Sequence, residues 1–441
     1  MTHGRSDTHD ERATTVKTPW GDAATLRERK LTPGRRLPPD EVARNQRERL
    51  FAALVAVAAE KGYEATRVAD LLELSGVSRS AFYEHFKDKE ECLLGALDDF
   101  LAPTMRIVVD HGDAPPSLEL EHAAFESLVR MVVDQAPAAR LCFVELYAAG
   151  PRAIDAINRA IDSFHESIVQ MVRGMPGRQP LLPELLQAVI GGVRKVIHTR
   201  LYRGEEEQLI ELIPQMWEWA LSVEPPPEPL RRPRNRPPEK AGRGAYEPAE
   251  RILRALASVV AEKGYPAMTV NDVASRASIS LSTFYSHFAD KEEAMVAAVD
   301  SGSAQMLATT LPAFRRAPDW PNAVRGGLGA MLAFCAAEPD FTKLGAIDVY
   351  AAGRRVLERR DEVIMGMEGL LAPGYELNPG ASPIAGEAIG GAIYSLIYDQ
   401  VRRGATESLQ ELAPLVTYVA LVPFVGAEKA CAVANGDGRG R

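Results

Sequence analysis

The sequence AEKGYEATRVADLLELSGVSRSAFYEHFKDKEE at residues 59–91 returns as AEKGYPAMTVNDVASRASISLSTFYSHFADKEE at residues 261–293. The offset is 202 residues throughout, no gap is needed, and 18 of the 33 positions are identical. Composition alone would give far fewer identities. A repeat with a domain-sized period indicates a duplicated domain rather than a solenoid of short units.

The duplication extends beyond these 33 residues. ELYAAGPR at residues 145–152 corresponds to DVYAAGRR at residues 348–355, and VIGGV at 189–193 corresponds to AIGGA at 388–392. Ala, Leu, Glu and Arg dominate both copies, and no sustained alternation of apolar and polar residues marks a strand. We therefore predict an all-α protein that contains two copies of a unit of about 200 residues.

Composition and charge limit the classes of function. The 441 residues are 46% hydrophobic and 25% charged, which is typical of a globular protein with more than one domain. No run approaches the roughly 18 apolar residues of a membrane helix, and the N-terminus has no apolar signal region. The four cysteines are scattered, which argues against a zinc site or a disulfide framework. We expect a cytoplasmic protein with no membrane partner, no metal and no cofactor.

A net charge of −9 counts against strong non-specific binding to nucleic acid. Any contact with DNA must therefore depend on locally placed cations and backbone donors. No P-loop, GxGxxG after a strand, HExxH or GxSxG motif is found, so the sequence does not predict an enzyme.

The first repeat predicts a helix-turn-helix. A short apolar helix ends near Gly76, which suits a tight turn, and Ser78 is a natural N-cap for the helix that follows. Phe82 and Phe86 are four residues apart in that helix and fall on one face, toward the core. Two short helices joined by such a turn place the second helix in the major groove of DNA.

The second repeat rebuilds the same pattern, with the aromatic pair at Phe284 and Phe288. Thr269 predicts the N-cap of its first short helix. Arg67 occupies that position in the first copy, so we expect the cap there to be supplied by Thr66. In both copies an Asp-x-x-Glu sequence predicts the start of the next helix, at residues 88–91 and 290–293.

These motifs, FYEHFKDKE at 82–90 and FYSHFADKE at 284–292, closely resemble the tetracycline-repressor (TetR) family of bacterial regulators. The resemblance covers about 45 residues in each copy, with order and spacing preserved. It implies an all-helical protein with an N-terminal three-helix DNA-binding domain. It also implies a larger helical domain that binds a small ligand and forms the dimer interface.

The resemblance implies DNA contacts in both copies. Phosphate contacts are expected at Tyr83, His85 and Lys89 and at Tyr285, His287 and Lys291. Base contacts are expected from the start of each second helix, at Arg79, Ser80 and Ala81 and at Leu281, Ser282 and Thr283, each helix being capped by Ser78 or Ser280. The alternative for the tyrosines and histidines is that they are surface residues that pack on a neighbouring element.

The regulatory halves offer weaker indications. Glu145 and Tyr147 match Asp348 and Tyr350, and these four residues either line a ligand pocket or lie at the surface near a helix end. Glycine pairs at residues 191–192 and 390–391 suggest close approach of two helices at an interface.

The predicted organisation has seven segments. They are a disordered N-terminal arm (1–42), a first DNA-binding domain (43–103), a first helical regulatory domain (104–223), a Pro/Arg-rich linker (224–246), a second DNA-binding domain (247–307), a second regulatory domain (308–426) and a tail (427–441). The predicted function is sequence-specific transcriptional regulation, with a double-stranded DNA operator and an unidentified hydrophobic small-molecule effector as partners. Repression by an intrachain pseudo-dimer is the expected mode. The alternative is a ligand- or partner-binding helical module whose helix-turn-helix units no longer function.

Overall fold

A computed structural model describes residues 16–31, 37–109, 117–173, 181–233 and 247–437. Apart from one short hairpin, the regular elements of these residues are helices, which confirms the all-α prediction. The chain divides into two compact units. The first comprises residues 1–178 and 197–213, and the second comprises residues 179–196 and 214–441.

The first copy contains nine α-helices in the described residues, of which the second and third, in the DNA-binding domain, are short. They are α1 (Pro39–Ala65), α2 (Val68–Ser75), α3 (Arg79–His85), α4 (Lys89–Val109), α5 (Leu118–Asp134), α6 (Ala136–Phe143), α7 (Pro151–Arg173), α8 (Pro183–Arg203) and α9 (Gln208–Ser222). A 3-10 turn, Glu145–Ala149, joins α6 to α7.

The second copy repeats this order. Its helices are α10 (Pro248–Lys263), α11 (Val270–Ala277), α12 (Leu281–His287), α13 (Lys291–Arg315), α14 (Trp320–Ala337), α15 (Pro339–Ala346), α16 (Arg354–Glu368), α17 (Ala372–Leu377), α18 (Ala385–Arg402), α19 (Ala413–Val425) and α20 (Ala427–Ala434). The 3-10 turn Asp348–Ala352 is the counterpart of Glu145–Ala149.

The predicted aromatic pairs form the centres of the DNA-binding domains. Phe82 and Phe284 are fully buried and Phe86 is 4% exposed. The ring centroids of Phe82 and Phe86 are 5.8 Å apart, and Phe51 from α1 adds a third ring 5.7 Å from Phe86. Such offset and tilted arrangements are favourable for aromatic rings. These contacts hold α3 against α1 and leave the opposite face of α3 to the solvent.

The prediction of a disordered arm over residues 1–42 is wrong for the segment 16–31. This segment forms a hairpin, in which β1 (Lys17–Thr18) pairs antiparallel with β2 (Gly21–Asp22). Trp20 and Leu26 are buried, and the Trp20 ring lies 5.2 Å from that of Phe51. Two apolar anchors therefore fix a segment whose composition is otherwise typical of a loop. Residues 1–15 and 32–36 lie outside the described part of the chain.

The cap expected from Thr66 is also differently placed. Arg67 is the N-cap of α2, and its backbone N–H donates to the Asp70 carboxylate at 2.7 Å. The Thr66 hydroxyl instead donates to the carbonyl of Gly62 at 2.8 Å. An arginine side chain has no acceptor with which to cap the helix. Asp70, three residues later, instead caps the backbone N–H of Arg67, which is one of the two hydrogen bonds of a capping box.

The C-terminal segment is more ordered than a tail. Ala427–Ala434 forms α20, with Ala430 and Cys431 buried, while residues 438–441 lie outside the described residues. The beginning of the predicted linker, residues 224–233, has no regular structure and is held within the second unit. Tyr418 donates to the carbonyl of Glu224 at 2.8 Å, and Arg231 pairs with Asp437 at 2.8 Å.

Two helices of the second unit approach each other closely. Residues 183–196 of α8 come from the first copy, and α18 comes from the second. A Cβ atom added to Gly191 would lie 2.3 Å from the Cβ of Ser395, and one added to Gly391 would lie 2.3 Å from that of Lys195. A Cβ atom added to Gly192 would likewise clash with the ring of Trp219. Gly390 differs, since its added Cβ would meet only ordinary contacts near 3.8 Å.

Two further observations concern apolar segments and thiols. One stretch, Thr406–Val425, is long and apolar enough to cross a membrane by length and composition, contrary to the expectation from the sequence. Because 67% of it is buried inside the fold, it resembles the core helix of a globular domain.

The four cysteines are free thiols and all are buried.

Candidate nucleic-acid interface and effector cavity

Both recognition helices, α3 and α12, are capped as predicted. Ser78 Oγ accepts from the backbone N–H of Ala81 at 3.2 Å, and Ser280 Oγ accepts from that of Thr283 at 3.1 Å. Ser80 and Ser282 lie beside these caps, with hydroxyl oxygens 3.1 Å and 2.8 Å from the capping oxygen. The start of each helix therefore presents small hydroxyl groups to the solvent at a fixed geometry.

The turns before these helices require a left-handed residue. Gly76 has φ 65° and Ser278 has φ 55°, and Ser278 is the only non-glycine residue with positive φ in the described part of the chain. The second copy therefore maintains the same turn with a residue that is less suited to it.

Sequence reasoning missed the residue that supports each turn from behind. Arg49 is 2% exposed and donates from Nε to the carbonyl of Ser75 at 3.0 Å, at the end of α2. Arg251 occupies the same place and donates to the carbonyl of Ala277 at 2.6 Å. These carbonyls have no partner inside their own helix, so a guanidinium donor satisfies them. The signal was present, because the two arginines stand at the repeat offset of 202 residues.

The predicted contact residues differ in exposure. Tyr83 is 51% exposed, Tyr285 is 55% exposed and Leu281 is 42% exposed. Arg79 is exposed as well. Ala81 was expected at the base-reading edge but is only 9% exposed. Its methyl group belongs to the domain core, so the edge of α3 consists of Arg79, with Ser80 next to it.

Lys89 makes several contacts within the first DNA-binding domain. Its ammonium donates to the carbonyls of Tyr63 and Thr66 at 2.7 Å each, and it lies 4.1 Å from the centroid of the Tyr63 ring. Lys291 lies 4.6 Å from the ring of Tyr265 in the second copy. Lys89 therefore ties the start of α4 to the end of α1. Phosphate contact by either lysine stays a prediction.

The histidines differ between the copies. His85 Nε2 lies 2.8 Å from Gln46 Oε1, and burial together with the neighbouring Arg47 lowers the pKa of His85. The lowered pKa favours the neutral imidazole of His85. His287 is exposed and stands at the end of α12.

The four predicted ligand residues are buried or half-buried around the two 3-10 turns. Glu145 Oε2 accepts from the backbone N–H of Tyr63 at 2.6 Å, which links the regulatory and DNA-binding parts of the first copy. Asp348 is one methylene shorter and 8% exposed, and its Oδ2 makes no hydrogen bond within the described residues. Burial raises the pKa of Asp348 to about 6, with Lys343 opposing the shift. Tyr147 is 8% exposed, and the hydroxyl oxygen of Tyr350 lies 3.0 Å from that of Tyr394.

A cavity of about 240 Å³ lies in the second regulatory domain. None of the four predicted ligand residues belongs to its lining. The walls are mainly aliphatic and aromatic side chains from α13, α14, α16 and α18, including Met306, Phe314, Met331, Ile364 and Ile393. This is the composition of a small-molecule site, in which an apolar wall carries a few polar groups.

One helix connects the cavity to the recognition helix. The Asp290 carboxylate, which follows α12 directly, caps α13 by accepting from the N–H of Glu293 at 2.8 Å. Val299 and Gly302, two and three turns further along α13, line the cavity. α13 therefore runs from the end of the helix-turn-helix to the wall of the cavity.

Comparison with known proteins agrees with this arrangement. Residues 50–96 and 252–298 each match the family profile described as bacterial regulatory proteins, tetR family. Both matches fall on the α1–α4 and α10–α13 regions that contain the helix-turn-helix. The chain contains two TetR-type DNA-binding domains in tandem.

Individual relatives match only parts of the chain. A stretch of 60 residues is 35% identical to an uncharacterized HTH-type transcriptional regulator, YerO, of Bacillus subtilis (strain 168), and covers 14% of this chain and 21% of that protein. A stretch of 143 residues is 24% identical to the HTH-type transcriptional activator FasR of Mycolicibacterium smegmatis, and it covers 32% of this chain and 62% of that protein. The chain thus spans less than two thirds of the length of either curated relative.

Two solved structures are also similar. The fatty acid degradation regulator FadR from Bacillus halodurans is 18% identical, with 41% of this chain and 97% of that one covered and a TM-score of 0.38. FadR from Bacillus subtilis, solved in complex with stearoyl-CoA, is 15% identical. The match covers 40% of this chain and 98% of that one, with a TM-score of 0.36.

Proposed function

We propose that this TetR-type chain is a sequence-specific DNA-binding transcriptional regulator, and that it acts as a repressor released by a small apolar ligand. One chain supplies both recognition helices as an intrachain pseudo-dimer. The observation that carries the proposal is the pair of capped recognition helices, each with an exposed tyrosine at the same position, Tyr83 and Tyr285. Exposed hydroxyl groups at the start of a helix and beside it suit phosphate and base contacts.

The DNA contact is tested by removing the two tyrosines. Tyr83→Ala and Tyr285→Ala together should weaken binding to all sequences, because phosphate contacts carry no base information. The salt dependence of binding should stay the same, since a neutral hydroxyl releases no counterion. Leu377→Ala is the matched control, because Leu377 is 54% exposed but lies outside both DNA-binding domains. Unchanged affinity in the double variant would favour the alternative, a helical module with non-functional helix-turn-helix units, to which the net charge of −9 also points.

The two recognition helices are not equivalent, so we propose an operator that is not a true palindrome. Arg79 can donate two hydrogen bonds to a guanine, whereas Leu281 offers only apolar contact, for example to a thymine methyl group. A good bidentate pair contributes about 1–3 kcal/mol of base discrimination. One half-site should therefore require a guanine that the other does not, while the half-sites keep the spacing of a two-fold dimer.

Selection of bound sequences from random DNA tests this asymmetry. Arg79→Ala should relax base preference in one half-site only, and Leu281→Ala should affect the other. Perfectly palindromic selected sites, or an equal effect of Arg79→Ala on both halves, would mean that two chains supply matching recognition helices.

The pseudo-dimer is supported by the helix contact inside the second unit. There, residues 183–196 of α8 from the first copy meet α18 of the second copy at Gly191 and Gly391. Cleavage of the chain within residues 234–246 should leave the two fragments associated. Elution of the fragments as separate species from a sizing column would contradict the proposal.

The effector proposal rests on the cavity and on α13, which runs from the recognition domain into the cavity wall. A ligand lowers DNA affinity only if it binds the DNA-free conformation more tightly, and a tenfold difference corresponds to about 1.4 kcal/mol. A screen of apolar metabolites by thermal shift, followed by release from DNA, tests this. Ligands that bind without any effect on DNA affinity would remove the regulatory role of the cavity.

A further inference from the structure

A buried arginine lines the otherwise apolar cavity of the second copy. Arg360, on α16, is 7% exposed and forms part of the lining. A guanidinium remains charged in proteins, and a buried charge is costly unless hydrogen bonds satisfy it. Arg360 therefore needs hydrogen-bond acceptors within the cavity wall or on a bound ligand.

The partners of Arg360 within the protein are incomplete. The guanidinium carbon lies 5.0 Å and 4.8 Å from the ring centroids of Tyr350 and Tyr394. Asp361 Oδ1 is 2.8 Å from Arg360 Nε but is not aligned for a hydrogen bond, and Tyr350 bonds the group through its hydroxyl. Nη1 is buried and has no hydrogen-bond partner in the described part of the chain.

The tyrosine hydroxyls are committed elsewhere. The Tyr394 oxygen lies 2.7 Å from the carbonyl of Ala346 and 3.0 Å from the Tyr350 oxygen. Because it has one proton, Tyr394 donates to the carbonyl and accepts from Tyr350. No hydrogen bond joins it to Arg360 Nη1. Thr310, in the wall formed by α13, has a buried hydroxyl that makes no hydrogen bond to any described residue either.

We propose that the second-copy cavity binds a small apolar molecule with a single carboxylate, and that Arg360 anchors the carboxylate. This deepens the proposed function, on which it rests for the effect on DNA. A carboxylate matches the fork of N–H donors on a guanidinium and forms its strongest hydrogen bonds. Asp361 and Glu368 also lie near or in the lining, so the surroundings disfavour a ligand with two negative charges. Lys195, 4.0 Å from Asp361, offsets part of that negative charge.

The volume sets the size of the ligand. A space of 240 Å³ holds at least roughly eight water molecules, so the ligand has on the order of ten non-hydrogen atoms or more. Octanoate is a probe of this size and chemistry. 1-Octanol and octylamine have the same apolar chain with a neutral or a positive head.

The first copy lacks the residues that make this site. The match of residues 145–152 to 348–355 places Ile157 at the position of Arg360 and Cys142 at the position of Gly345. Ile157 and Cys142 are both buried. Gly345 lines the cavity, and an added Cβ there would meet nothing within 4 Å. The proposal therefore assigns one such effector site to each chain, although two regulatory domains are present.

Calorimetric titration of the full chain without DNA tests the proposal. Octanoate should bind with a stoichiometry of one, and at least tenfold more tightly than 1-octanol or octylamine. Arg360→Met should weaken octanoate binding about 10- to 100-fold and leave 1-octanol within about threefold, since a hydrogen-bonded charge pair is lost. Arg359→Met is the matched control, because Arg359 pairs with Asp300 and Glu362 outside the cavity lining.

A second variant keeps Arg360 in place. Gly345→Leu should abolish the binding of both octanoate and 1-octanol by filling the cavity, and circular dichroism confirms that each variant is folded. Equal octanoate affinity in Arg360→Met and the wild type, equal affinity for 1-octanol, or two octanoates per chain would overturn the proposal. Octanoate that binds as expected but never releases DNA would leave the site in place and refute the regulatory role. Specific DNA binding without octanoate binding would refute the carboxylate site and leave the proposed DNA-binding function in place.

Discussion

Neighbouring glycines on α18 should respond in opposite directions to the same substitution. Gly391→Ala should destabilise the second unit, whereas Gly390→Ala should stabilise it or leave it unchanged. An added Cβ at Gly391 lies 2.3 Å from the Lys195 Cβ and 2.9 Å from the carbonyl oxygen of Gly191. At Gly390 the nearest atom, on Ile364, is 3.8 Å away.

The magnitude follows from these distances. Carbon atoms in contact prefer about 3.5–4.0 Å, so the Gly391 methyl group falls short by at least about 1.2 Å. Its neighbours are a Cβ and a backbone oxygen, which cannot rotate away as the end of a side chain can. Overpacking of this kind typically costs about 1–3 kcal/mol, and the better helix propensity of Ala returns up to about 1 kcal/mol. We expect a net loss of about 1–2 kcal/mol for Gly391→Ala and a gain of up to about 1 kcal/mol for Gly390→Ala.

Hydrogen exchange measured by mass spectrometry is the suitable assay, because a multidomain chain does not unfold in two states. The opening free energy of peptides within residues 385–402 should fall in Gly391→Ala and rise or stay level in Gly390→Ala. Gly192→Ala provides an independent check, since its Cβ would lie 2.2 Å from the ring of the fully buried Trp219. If Gly391→Ala and Gly390→Ala shift exchange in the same direction, the close contact between α8 and α18 is not as described.

Three further predictions follow from individual side chains. Because the pKa of Asp348 is raised from 3.8 to about 6, the native state should lose about 2–3 kcal/mol as pH rises from 4 through 6; hydrogen exchange of peptides that contain residues 339–352 should show that Asp348→Asn removes this loss and Glu376→Gln does not. Lys89→Met should lower the opening free energy of the first DNA-binding domain in the same assay, since an ammonium bonded to backbone carbonyls contributes about 1.5–3 kcal/mol, while Lys87→Met, at an exposed position, should change it by less than about 0.5 kcal/mol. Ser278→Gly should raise the opening free energy of the second DNA-binding domain by about 1 kcal/mol, because it relieves a left-handed residue, and an unchanged or lower value would contradict that strain.

The DNA-binding domains were predictable because their information is local. The aromatic pairs, the serine caps and the Asp-x-x-Glu starts act over three or four residues, and the repeat presents each of them twice. The N-caps of α3 and α12, Ser78 and Ser280, fall where the sequence indicated. Even so, the sequence could not show that the methyl group of Ala81 turns inward.

The remaining features depend on contacts between distant residues. Trp20 stands beside a proline and a glycine, and its contact with Phe51 together with the burial of Leu26 shows that residues 16–31 are folded. Arg360 lies in the sequence ERRDE, which is typical of a solvated helix face. Its burial results from packing between α16 and α18, which no local pattern encodes. Glu145 and Asp348 do not line the cavity described in the second copy, and a role for either in ligand binding stays a prediction.

The buried thiols give this protein a built-in set of labelling sites. Burial raises the pKa of Cys92, Cys142 and Cys335, so these thiols stay protonated and unreactive while their surroundings remain closed. They lie in the first DNA-binding domain, the first regulatory domain and the wall of the cavity, and Cys431 adds a fourth position on α20. The rate at which an alkylating reagent modifies each one therefore measures how often that part of the native chain opens. No residue has to be introduced, and occupancy of the cavity should slow the modification of Cys335 above all.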